Sequence, residues 1–219
     1  KDIIILKEVV KVARKIVVTS GKGGVGKTTV CANLGVYLSR LGFRVALLDV
    51  DIGLNNLDVV MGLEKQVVFD ITDVVSGKCR VRQALVQDFN YPSLYLLPSS
   101  HSYASSKITG EHIKNITDII DHSFDYILLD CPAGVEAGFH RAVYPANEAI
   151  IVVTPHLSSL RDADKVLSIL SSYHIESKYL VINRMRGDLL LSGDMLNIES
   201  IVKAMNIPLI GVIPEDDSV

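Results

Sequence analysis

Cysteine is scarce and follows no pattern: Cys31, Cys79 and Cys131 are the only three, an odd number with no C-x-x-C pair. Neither a disulfide framework nor a cysteine-held zinc or iron–sulfur site is suggested, and a reducing cytoplasm fits such usage. No apolar run approaches the roughly 18–20 residues that span a bilayer. No small-residue cleavage site follows the apolar stretch near the N-terminus. An excess of one charge is missing too: 22 Lys and Arg against 25 Asp and Glu leave a net charge of −3. That balance supplies no global field for holding nucleic acid or an anionic bilayer. His101, His112, His122, His140, His156 and His174 lack metal-ligand spacing on a helix and read as solvent or packing residues. With no internal repeat, low-complexity tract or Pro/Gly-rich linker, the 219 residues read as one domain.

What the chain has in quantity is short apolar runs, within a composition that is 48% hydrophobic. Runs at 15–19, 45–49, 94–97, 126–130, 149–154 and 179–183, with a seventh at 209–213, are each bounded by turn residues. They predict strands buried on both faces of a parallel sheet. Segments 27–41, 110–122, 158–172 and 193–205 carry helical spacing. Strands alternating with helices predict a doubly wound α/β fold, its mostly parallel sheet covered by helices on both faces.

Residues 1–15 fit that plan less neatly. Wound as a helix, they place Lys7, Glu8, Lys11, Arg14 and Lys15 on one arc of about 120°, opposite a broad apolar face. An element packed on the domain, a basic amphipathic helix for a membrane or partner groove, and sequence extraneous to the domain all remain open. The expected division is therefore an extension over 1–15 and a nucleotide-binding domain over 16–219.

The decisive segment is Gly21-Lys22-Gly23-Gly24-Val25-Gly26-Lys27-Thr28, with Thr29 following. A predicted strand leads into it and a predicted helix leads out, the context in which G-x-x-x-x-G-K-[ST] is a phosphate-binding P-loop. The glycines let successive backbone N–H groups turn inward onto phosphate oxygens, and the helix N-terminus adds its positive end. Lys27 is expected to span the β- and γ-phosphates of a nucleotide, with the Thr28 hydroxyl in the shell of Mg²⁺. Lys22 lies where so tight a loop points a side chain outward, within reach of a second subunit's nucleotide. Asp130 closes the run Tyr126-Ile127-Leu128-Leu129, at the carboxyl edge of the predicted sheet, where ligands of such folds bind. It completes the Mg²⁺ environment through water or caps the next turn.

The Lys-Gly-Gly-Val-Gly-Lys-Thr arrangement resembles the deviant Walker A motif of the MinD/ParA family of P-loop ATPases. The segment from Leu48 to Asp58 is similar to that family's switch I, and the one from Leu129 to Gly138 to its Walker B and switch II. Ser158-Ser159-Leu160-Arg161-Asp162-Ala163-Asp164 and the stretch from Gly211 to Val219 resemble the MinD branch in particular. Over residues 15–219 the resemblance implies a SIMIBI-type P-loop fold and an ATPase that forms ATP sandwich dimers. It implies action in placing the bacterial division septum, with MinC-like and MinE-like partners and attachment to the inner face of an anionic membrane while ATP is bound. It puts Asp49 near the Mg²⁺ shell, acting through water, and Asp51 beside the attacking water, unless Asp51 only stabilises its loop.

Asn183 ends a predicted strand; the resemblance favours contact with adenine over mere strand termination, with Pro214, Glu215 and Asp216 on the other side of the ring. Asn183-Arg184-Met185-Arg186 stands where a guanine-reading Asn-Lys-x-Asp run would, so ATP is expected over GTP. Arg161, Arg184 and Arg186 read as a solvated rim, or as a partner surface. A ParA-like ATPase for DNA partitioning shares this chemistry, but a net charge of −3 argues against a nucleic-acid partner. The iron–sulfur carrier ATPases of the superfamily need paired cysteines, and a small-metabolite kinase needs a lid bearing arginines. Neither is found in the sequence. Family members continue past the Pro-Glu-Asp segment to an amphipathic membrane helix, so a chain ending at Val219 is expected to lack that tail, whether as a fragment or because it docks differently.

Overall fold

A computed structural model describes residues 12–53, 56–100 and 108–216. Eight strands form one sheet: β1 (Arg14–Thr19), β2 (Val45–Asp49), β3 (Val86–Gln87), β4 (Leu94–Leu97), β5 (Tyr126–Asp130), β6 (Glu148–Val153), β7 (Ser177–Met185) and β8 (Leu209–Pro214). Their spatial order is β3-β4-β2-β5-β1-β6-β7-β8, parallel throughout except for the antiparallel β3–β4 pair. The helices are α1 (Lys27–Arg40), α2 (Leu57–Met61), α3 (Ile71–Val75), α4 (Val81–Ala84), α5 (Gly110–Ile120), α6 (Ala137–Val143), α7 (Leu157–Leu170), α8 (Gly187–Ser192) and α9 (Ile198–Met205).

The sheet is buried on both faces, and the two-residue period of a strand divides its side chains between two cores. Ile16 and Val18 of β1 point with Leu47, Leu96 and Leu128 toward α1 and α2, where they meet Cys31, Ala32 and Leu57. Val17 points the other way with Ala46, Leu48, Ile127 and Leu129, toward Ile113 and Ile116 of α5, Phe139 of α6 and Val166 of α7. Both faces must be apolar, so the strands read as continuous hydrophobic runs. Gly35 of α1 allows close packing, since a Cβ there would run into Leu47 at 2.7 Å.

Two expectations are corrected. The helix predicted over 193–205 is shorter: Gly193, in a left-handed φ of 82°, closes the preceding α8, and α9 begins only at Ile198, after the Asn197 side chain accepts from Ser200 N–H. Residues 1–11 lie outside the described residues, as does most of the proposed 1–15 extension. Its last two residues, however, are strand rather than helix. Arg14 and Lys15 open β1 in register with Tyr126 and Ile127, so the domain begins before residue 16. The charges expected on a solvent arc serve the sheet: Arg14 forms a two-pronged pair with Glu148 at 2.7 and 2.6 Å, and buried Lys15 lies 2.6 Å from Asp118 and 3.3 Å from Asp121.

Candidate functional site

The carboxyl edge of the sheet centre gathers four loops, those following β1, β2, β5 and β7. The loop after β1 is the glycine-rich segment. Gly24 and Gly26 hold φ of 75° and 93°, a region that L side chains rarely enter, and Gly26 is the residue preceding the first turn of α1. At Gly21 space is the constraint: a Cβ would fall onto the backbone and Cβ of Asp162 in α7. No side chain caps α1, and no acidic residue stands in its first turn. The first N–H groups of this 14-residue helix therefore face the loop as free donors with a positive dipole end. Lys27, on that first turn, is buried with no acid partner at ion-pair distance among the described residues. A buried ammonium beside unfilled donors is a site built for an anion.

The acid side of the site stands on β2 and β5. Asp49 and Asp130 are register partners on these adjacent strands, and both are buried. Burial and the neighbouring Asp130 push the Asp49 carboxyl up to about 8. Burial likewise raises Asp130 to about 6, against the pull of the Thr28 hydroxyl and the Lys27 ammonium. Asp49 Oδ1 accepts from Asp51 N–H at 3.0 Å and Oδ2 from Leu57 N–H at 3.3 Å, so this carboxylate ties the loop after β2 to the start of α2. Asp130 Oδ1 is buried without a hydrogen-bond partner.

Among the described residues no cluster of three or more His, Cys, Asp or Glu could hold a metal by itself. The donors present still fit Mg²⁺: a hard cation that takes one or two carboxylates, a hydroxyl and waters, and completes its shell with substrate phosphates. The orphaned Asp130 oxygen and the adjacent Thr28 hydroxyl are such donors.

Asp51 stands apart from this pair. It is half-buried; desolvation raises its pKa, while Lys27 and Arg141 oppose the rise. Ser99 donates its hydroxyl to the Asp51 carbonyl at 3.2 Å, fastening the loop to the end of β4.

Asn183, Pro214, Glu215 and Asp216 converge on one cavity of about 450 Å³, together with Gly26, Thr29 and Asn33 from the loop and α1. Asn183 donates from Nδ2 to the Val25 carbonyl at 2.8 Å, joining the end of β7 to the glycine loop. Gly26 is constrained by the same contact, for a Cβ there would overlap the Asn183 amide. A second cavity of about 420 Å³ opens beside it, lined by Lys22, Gly23, Gly24, Val25 and Glu215 and by His156 of the segment before α7. Lys22 is exposed there, its backbone carbonyl held by the Ser20 hydroxyl at 2.7 Å. It therefore does not join Lys27 inside the loop.

Arg184 lines both cavities, in a left-handed conformation with φ of 59°. The sequence reading placed it on a solvated rim. It is exposed, but the rim is that of the cavities, and the signal available was its place directly after Asn183 at a strand end. Asn33 and Arg141 were missed. Asn33 lies one turn beyond Thr29 on α1, which helical spacing could have revealed. Arg141 sits on a helix too short to announce itself.

An uncapped helix behind a positive-φ glycine loop, a buried lysine, and paired strand-end carboxylates define a P-loop nucleotide-binding protein. Comparison with known proteins gives the family. The chain belongs to the CobQ/CobB/MinD/ParA nucleotide binding domain family, which matches residues 16–219. It is 48% identical over 206 residues to the septum site-determining protein MinD of Bacillus subtilis (strain 168), covering 93% of this chain and 77% of that protein. Its fold is similar to MinD in the MinC:MinD cell division protein complex of Aquifex aeolicus, with a TM-score of 0.87, 45% identity, and coverage of 94% and 83% of the two chains. It is also similar to the septum site-determining protein MinD complexed with Mg-ADP from Pyrococcus horikoshii OT3, with a TM-score of 0.82, 33% identity, and coverage of 93% and 82%.

Proposed function

We propose that this chain is a Mg²⁺-dependent ATPase switch of the MinD kind that takes part in placing the division septum. The observation that carries the reading is the juxtaposition of the uncapped α1 N-terminus and buried Lys27 with the Asp49–Asp130 pair, one of whose oxygens lacks a partner. Backbone N–H groups from Gly21 to Thr29 bind the phosphates. Lys27 neutralises charge on the β- and γ-phosphates, and Asn183, Pro214, Glu215 and Asp216 hold adenine in the cavity they line. Thr28, with Asp49 and Asp130 acting through water, would hold Mg²⁺, which would offset the charge that develops on the phosphates. Asp51 orients the attacking water, and the fixed loop that Asp49 and Ser99 build around it keeps that carboxylate in place.

Lys22, exposed at the mouth of the second cavity, reaches the nucleotide of a second copy, so ATP assembles a homodimer and hydrolysis releases it. A MinC-like protein is the partner that the Aquifex complex supports. A MinE-like protein and an anionic membrane surface, engaged on the inner face of the cell membrane, complete the proposed cycle. Among the described residues no helix is long and apolar enough to cross a membrane. A ParA-like role on DNA is the second reading, and the net charge of −3 speaks against it.

Size-exclusion chromatography with ATP tests the switch. Asp51→Ala should dimerise with ATP and stay dimeric, whereas Lys22→Ala should bind ATP yet remain monomeric. A Lys22→Ala protein that dimerises and turns over normally removes the trans role. Sedimentation with DNA but not with anionic vesicles, dependent on ATP, would favour the ParA-like reading.

A further inference from the structure

Asn183 and Arg184 are consecutive residues of β7, and consecutive side chains of a regular strand point to opposite faces of its sheet. Here both line the same cavity of about 450 Å³. The β7–β8 ladder shifts register between Ile182 and Met185, and Arg184, inside that shift, takes a left-handed φ of 59°. One other non-glycine residue among those described has a positive φ, Asn206, which closes α9 in a place and with a side chain that tolerate it. A Cβ makes this conformation costly at position 184, where glycine would hold the same bulge without strain. The side chain that the strain delivers is free. Arg186, two residues on, pairs with Asp188 at 2.7 Å, whereas Arg184 is exposed with no acid at ion-pair distance among the described residues. Arg184 and Glu215 are the two residues that line both this cavity and the one beside Lys22, so the arginine stands on the partition between them.

We infer that Arg184 is a nucleotide-binding residue, its guanidinium laid flat against the face of the base in the cavity it shares with Asn183; this rests on the proposed use of that cavity for adenine. A guanidinium is planar, weakly hydrated and attracted to the face of an aromatic ring, and one that no carboxylate holds is free to take that place. Ile213 and Pro214 give the same cavity an apolar wall, which suits a ring rather than a phosphate. Asn183 has given its Nδ2 to the Val25 carbonyl at 2.8 Å and keeps its amide oxygen for the edge of a base. Arg184 supplies what that amide does not, a contact with the face. The left-handed turn is what brings the two side chains, edge reader and face cover, to one side of the strand.

Two variants of the whole chain test this: Arg184→Gly, which suits the left-handed backbone, and Arg184→Lys, which keeps the charge and loses the plane. Parent and variants are titrated with Mg²⁺-ADP and with inorganic pyrophosphate, the latter read as competition against ADP, and the nucleotide-free thermal midpoint of each is recorded. Arg184→Gly should bind ADP about 3- to 30-fold more weakly, the range of a cation–ring contact, with pyrophosphate affinity unchanged. Its midpoint should hold or rise, because glycine relieves the strain. Arg184→Lys should recover no more than part of the lost affinity. An equal loss for pyrophosphate would put the guanidinium on the phosphates and overturn the inference, as would full ADP affinity in Arg184→Lys or a lowered midpoint in Arg184→Gly. Unchanged ADP affinity in Arg184→Gly would overturn it too, and loss of the dimer formed on a nonhydrolysable ATP analogue would then assign the side chain to the second copy. A parent chain that binds pyrophosphate as tightly as ADP would instead remove the base site on which the inference stands.

Discussion

Asp49 and Asp130 sit side by side at the ends of β2 and β5, two buried carboxyls in register on adjacent parallel strands, raised to about 8 and about 6. Two acids so placed repel one another and resist ionisation, and only a cation between or beside them relieves both effects. The two carboxyls thus stand at the point where the proposed function puts a divalent ion.

That repulsion has a sign in pH. Both folded values lie above the ordinary 3.8, so each group contributes stability that is full below that value and lost as pH rises through about 6 for Asp130 and about 8 for Asp49. The nucleotide-free protein should therefore lose thermal stability between pH 4 and 8. Mg²⁺ with nucleotide should restore it, and restore more at higher pH, because the ion competes with protons for the same oxygens. Thermal melts across that range, with and without Mg²⁺ and an ATP analogue, make the comparison.

Asp130→Asn isolates one half of the pair. It removes a buried charge whose Oδ1 has no partner. The nucleotide-free variant should be more stable than the parent by about 1–2 kcal/mol at pH 8, or about 2–8 °C in Tm. The gain should vanish near pH 4, where the parent carboxyl is protonated. Mg²⁺-dependent hydrolysis should be lost. A variant destabilised at pH 8 would mean that the carboxylate is structural.

Gly21→Ala probes the packing of the loop against α7. Its Cβ would meet the Asp162 backbone, which cannot swing aside as a flexible side chain can. The expected cost is about 1–3 kcal/mol, with weaker nucleotide binding as the loop shifts. Gly23→Ala should be far milder, for its Cβ would meet only the Ala133 methyl at an ordinary 3.7 Å. Urea unfolding of the two variants separates these effects.

Asn183→Ala addresses the base cavity. It removes the amide that bonds the Val25 carbonyl and that faces the space between Gly26 and Pro214. ATP affinity should fall about tenfold, the worth of one or two hydrogen bonds, and preference over GTP should shrink. Competition binding with both nucleotides gives the answer.

The sequence made the site's elements legible where a physical constraint left a long or unmistakable mark. Strands β2, β4 and β5 appear at the bounds their apolar runs predict, because burial on both faces allows no polar interruption. Asp49 and Asp130 were placed at strand ends for the same reason. Helices α2, α3, α4 and α6 escaped because none is long enough to display a helical period. Arg141 was lost with α6. The helix expected at 193–205 was drawn too long at its start: Gly193 is the left-handed end of α8, and the Asn197 cap holds the start of α9 back to Ile198. The strand position of Arg14 and Lys15 was obscured by their charge, and their partners Glu148, Asp118 and Asp121 lie more than a hundred residues away.

The central claim is that the buried ammonium of Lys27 and the free donors at the head of α1 form a nucleotide phosphate site. Titration calorimetry of a Mg²⁺-bound, nonhydrolysable ATP analogue into the parent chain and Lys27→Ala tests it most directly. The account predicts one nucleotide per parent chain, and an affinity lowered at least about tenfold in the variant, the worth of a charge-assisted contact in a water-poor site. Equal affinity in the two proteins would contradict it.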